Sequence, residues 1–131
     1  MPHRIGRGLA LAALAIAATL TWISPAGAHH SFGAFDRSKE MTVIGTVKVW
    51  QWANPHPQMT ITVTDKSAPV LGDYLFEYPA PVQMQERGFS RNLAKVGDQV
   101  KIKYNPWRNG MPGGLFNDIT APDGKSLKAH P

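Results

Sequence analysis

An all-β fold is what this sequence predicts: a small barrel of five strands, with one short helix between the third and fourth, behind an N-terminal signal helix. Three observations point there. Apolar and polar residues alternate with period two through Met59, Ile61 and Val63 and again through Val100, Ile102 and Tyr104, the pattern of strands with one buried and one wet face. Glycine, proline, aspartate and asparagine cluster between these runs, as turns require. Only one short helical pattern lies outside the apolar leader.

That leader is residues 1–28. Arg4 and Arg7 give it a positive start, Leu9 to Ile23 an apolar stretch broken by threonines, and Ala26-Gly27-Ala28 a small-residue cleavage site. The apolar run is short for a membrane anchor, so cleavage after Ala28 and a mature domain of residues 29–131 without a membrane span are expected, in the periplasm or secreted. Such a chain makes one small domain. The 131 residues carry a net charge of +5, but losing Arg4 and Arg7 leaves 12 basic against 9 acidic residues. No basic stripe of the kind that binds nucleic acid remains. There is no cysteine, which excludes disulfides, thiolate metal sites and thiol catalysis.

After a lead-in at residues 29–39, pinned by Phe32 and Phe35, Met41 to Trp52 is rich in β-branched and aromatic residues and predicts the first strand. Val43, Val47 and Val49 share a parity, and Gly45 between them suggests a bulge or sharp coil. Asn54-Pro55-His56-Pro57 breaks the strand. The Met59–Val63 alternation is the second strand. Asp73 to Tyr78 is the third, with Tyr74, Phe76 and Tyr78 on one face. Pro81 to Arg87 predicts the helix, with proline in its first turn and Gly88 to end it. Gly97-Asp98 turns into a fourth strand, Gln99 to Tyr104. Pro106 to Gly114 is a loop, Leu115 to Thr120 a fifth strand, and Asp123-Gly124 a turn before a short edge strand or loose tail. This order is that of an OB-like barrel; a small open β-sandwich is the competing arrangement.

Several pieces carry a resemblance: His29-His30-Ser31-Phe32 with Phe35-Asp36, Gly45-Thr46-Val47, Trp52-Ala53-Asn54-Pro55-His56, Arg87-Gly88-Phe89, Gly97-Asp98-Gln99-Val100 and Asp123-Gly124. Together they resemble a domain-of-unknown-function family of small exported bacterial proteins, numbered six-one-five-two. Phe89 stands where that pattern usually has tryptophan. The resemblance implies export and a small β fold, and supplies no activity.

The histidines offer the sharpest chemistry. Cleavage after Ala28 would expose the His29 amine beside the His29 and His30 imidazoles, a nitrogen set suited to Cu(II) or a similar metal. His56, stiffened by two prolines, could add a third imidazole. Asp36 could orient a ring through a hydrogen bond, and Met59, Met84 and Met111 are candidate thioethers, although methionine more often fills a core. His130 lies in the tail and carries no role. The plain alternative is a mobile terminus and a turn histidine. A different class of function is a metal-free module that binds a protein, peptide or glycan through aromatic rings, with Trp52 and Trp107 as the possible ligand face among Trp50, Tyr74, Tyr78, Tyr104 and Phe116. Catalysis has little to stand on. No nucleophile elbow, HExxH or phosphate loop is present, and the carboxylates Asp36, Asp73, Glu77 and Glu86 would have to pair across a cleft. The sequence therefore reads as an exported non-enzymatic binding protein, its partner a metal ion or a periplasmic protein.

Overall fold

A computed structural model describes residues 32–129. The proposed leader, His29, His30 and His130 lie outside the described residues. A turn of 3-10 helix, Phe32–Ala34, leads to β1 (Met41–Gln51), β2 (Gln58–Val63), β3 (Gly72–Glu77), helix α1 (Pro81–Gln85), β4 (Gln99–Pro106), β5 (Gly113–Thr120) and β6 (Ser126–Lys128). β1 pairs antiparallel with both β2 and β4, β2 with β3, and β4 with β5. A parallel pairing of β3 with β5 closes the ring. The five strands thus form a closed barrel rather than an open sandwich, and the helix stands between the third and fourth strands as the sequence predicts. β6 pairs with β5 at Asp118–Thr120, beyond the residues that meet β3, so the tail is a strand through residue 128.

The alternation of the sequence becomes burial directly. Met59, Ile61 and Val63 of β2 and Val100, Ile102 and Tyr104 of β4 face the interior. Rings from β3, β4, β5 and the segment after α1 fill the centre. Tyr78 lies 3.8 Å from Phe116 and 5.4 Å from Phe89 between centroids, and Phe76 lies 5.1 Å from Tyr104. Burying each such side chain contributes about 1.5–3 kcal/mol, which is why a domain of this size commits its aromatics here.

Two details depart from the sequence reading of β1. Gly45 is not the bulge. It is a close approach, because a Cβ there would stand 2.8 Å from both Ile61 Cδ1 and the Thr62 carbonyl oxygen. The register shift falls between Val47 and Val49, so Lys48 is the extra residue. That shift turns Val49 out to 45% exposure, although its parity matches buried Val43 and Val47, and packs Trp50 against the core.

The loop expected to run to Gly114 is shorter, because β5 begins two residues earlier than Leu115. Leu75 faces Gly113, Phe76 faces Gly114 and Glu77 faces Leu115 across the closing seam. Gly113 has φ +109, and a Cβ there would fall inside the van der Waals shell of the Leu75 backbone. A Cβ at Gly114 would do the same at the Asn105 carbonyl. Two adjacent residues without side chains let β5 lie between β3 and β4 at this tight point.

Candidate functional site

The connection between β1 and β2 carries His56. Its end is pinned: the Tyr78 N–H donates to the Pro57 carbonyl at 3.1 Å, and Gln58 Nε2 donates to Glu77 Oε1 at 3.2 Å. Pro57 is buried, the Asn54-Pro55 peptide is cis, and His56 between the prolines is half-buried. The imidazole thus sits on a bend tied to β3. His56 is the one histidine among the described residues. Those residues contain no group of three or more His, Cys, Asp or Glu arranged to hold a metal.

Asp36 stands before β1, whereas His56 follows it. The Asp36 carboxylate accepts from the Ser38 hydroxyl at 2.6 Å and the Ser38 N–H at 3.2 Å, and pairs with Lys39 at 3.0 Å. The Ser38 hydroxyl and then Lys39 hold its pKa down to about 2. Its described partners are those of a local turn, and His56 is not among them.

The two tryptophans named as a ligand face belong to separate ring clusters. Trp52 is half-buried with its ring edge-on to Trp50 at 5.6 Å, and Trp50 donates its indole N–H to the Ser90 carbonyl at 3.2 Å. Trp107 packs on Phe35 at 4.4 Å. Its indole donates to the Leu75 carbonyl at 3.3 Å and its backbone N–H to Gly113 at 3.3 Å. Arg108 fixes the lead-in from the same loop, through its N–H to Ala34 at 2.9 Å and its Nε to Gly33 at 3.0 Å. Trp107 therefore latches the lead-in onto the closing seam. Trp107→Ala should lower unfolding stability by about 2 kcal/mol, below the range for a fully buried tryptophan, and a urea unfolding curve checks this. Met59 and Met84 are buried in the core and Met111 is 53% exposed. Asp73 is engaged by Lys48 and Thr62, and Glu77 by Gln58.

A polar groove was not foreseen from the sequence. It encloses about 350 Å³ and is lined by Arg37, Glu40, Lys103, Asn105, Asn117, Asp118 and Lys128. A second bulge builds it. Lys103 faces Asp118 and Tyr104 faces Phe116, so Asn117 is the extra residue in β5. Phe116 and Ile119 still point inward, while Asn117 and Asp118, though consecutive, are both half-exposed. Asn117 Nδ2 donates to Glu40 at 3.3 Å, and buried Asn105 donates to the Lys39 carbonyl at 2.6 Å. The only available sequence signal was the polar pair Asn117-Asp118 inside an otherwise apolar run. Burial, with the Asp118 charge second, pushes the neighbouring Tyr78 phenol well above its ordinary pKa.

No helix among the described residues is long and apolar enough to cross a membrane. No curated protein and no solved structure matches the chain. A family described as of unknown function, DUF6152, matches residues 16–117. That match spans most of the chain, and the protein belongs to this family.

Proposed function

We propose that this is an exported, non-enzymatic binding protein of the periplasm or extracellular space that holds Cu(II) or a similar metal through the His29 amine and imidazole, His30 and His56. Ala26-Gly27-Ala28 directly before His29-His30 supports the amine. The observation that carries the reading is the mounting of His56. Two prolines stiffen its backbone and the Tyr78–Pro57 hydrogen bond ties the bend to β3, so the imidazole is presented at low entropic cost. Removal of one nitrogen ligand should cost at least as much as the roughly 10–100-fold typical of an outer partner. A Cu(II) titration of processed protein should show His56→Ala at least about tenfold weaker, with an unchanged circular dichroism spectrum. Equal affinities would count against His56 as a ligand.

The second reading, a metal-free module that captures a protein, peptide or glycan, has the half-buried Trp52 in its favour. Trp107, committed to Phe35 and Leu75, contributes less to it. A chelator separates the two, because it abolishes function on the first reading and leaves capture intact on the second.

A further inference from the structure

We infer that the groove on the outer face of β4, β5 and β6 is a binding site for a small zwitterion, an α-amino acid carrying both a free ammonium and a free carboxylate. The site is distinct from His56 and independent of any metal. The cross-strand register sets Lys103, Asp118 and Lys128 in one row over three adjacent strands, with neighbouring Cβ atoms about 4.5–5.5 Å apart. Charge thus runs plus, minus, plus across the floor. Arg37 and Glu40 border it from the segment before β1. Among the described residues, none of these five charged groups forms an ion pair, although Arg37 lies 5.4 Å over the Phe32 ring and Glu40 accepts from Asn117. Opposite charges brought this close without pairing with one another are suited to groups on a ligand.

The bulge supplies the second observation. It turns the Asn117 carboxamide to the same side as the Asp118 carboxylate, and bulges elsewhere serve to re-aim side chains in this way. Asn117 Oδ1 is buried and has no partner among the described residues, a costly state for an acceptor, while its Nδ2 is held by Glu40. A ligand ammonium meets the Asp118 and Glu40 carboxylates, and a carboxylate on the same ligand meets Arg37, Lys103 and Lys128. A simple anion would face two carboxylates, and a simple cation three basic groups. The volume, about 350 Å³, is at the lower end for small-molecule sites, which fits a ligand of amino-acid size.

The test is a backbone amide NMR titration of the intact protein with each of the twenty common α-amino acids. The strongest binder is then compared with its N-acetyl and its carboxamide forms. The expected result is saturable shifts at Asn117, Asp118 and Lys128 for at least one amino acid. Both blocked forms and both variants, Asp118→Asn and Arg37→Gln, should bind at least tenfold more weakly, with amide spectra otherwise unchanged. Arg37 is exposed and outside the barrel strands, so its variant keeps the test valid if Asp118→Asn fails to fold. The inference is overturned if no amino acid shifts the groove amides, or if the N-acetyl form binds equally well, which would make the groove an anion site.

Discussion

Gly113→Ala should destabilise the barrel by about 3 kcal/mol or more, a large part of the roughly 5–15 kcal/mol that holds a small domain together. Two costs add. Positive φ is disfavoured for alanine by about 1–2 kcal/mol, and Gly113 has φ +109. The new methyl also meets the Leu75 backbone, and backbone cannot move aside as a flexible side chain can. Relief requires β5 to withdraw from β3, which opens the one parallel pairing that closes the ring. Gly110→Ala is the control. Gly110 also has positive φ, +79, but nothing stands within 4 Å of a Cβ there, so only the conformational cost applies. Urea unfolding of the two variants should separate them by more than about 1 kcal/mol. Coincident midpoints would show that the seam is not tight.

Acetylation of the His29 amine should weaken Cu(II) binding by on the order of 100-fold or more, since loss of a first ligand costs at least as much as loss of the group behind it. The acetyl group turns the amine into an amide nitrogen, adds no new amine and leaves every imidazole in place, so it isolates the amine. Affinity of the processed protein should also fall as pH falls, because amine and imidazole must lose their protons to bind. Asp36 contributes nothing to that slope. Its pKa, held down to about 2, keeps it ionised except in strong acid, where any stability it lends is lost. Isothermal titration of acetylated and unacetylated processed protein at two pH values checks both points. Equal affinity would remove the amine from the site.

Much of the barrel was legible because β2 and β4 bury alternate residues without interruption, so Met59, Ile61, Val63, Val100, Ile102 and Tyr104 announce their faces. The bulges were not legible. Nothing marks Lys48, and the polar pair Asn117-Asp118 does not say which of its members is added; only the partner strand shows which residue is extra. The parity of Val49 misled for that reason. Nor could the closing pair Gly113-Gly114 be distinguished from loop glycines, because its role depends on Leu75 and Asn105, distant in sequence. The groove was hidden for the same cause, as its residues come from the lead-in and three strands. His56 was visible through its prolines, whereas the packing of Trp107 on Phe35 joins residues far apart in sequence and left no mark there.

The most direct measurement is made on protein exported and processed by its own host: intact mass together with copper content per chain after Cu(II) saturation and removal of loosely held metal. Loss of the first 28 residues, with one tightly held copper ion per chain, is the outcome the proposal requires. A chain that keeps its leader, or a trimmed chain that retains no copper, would contradict it.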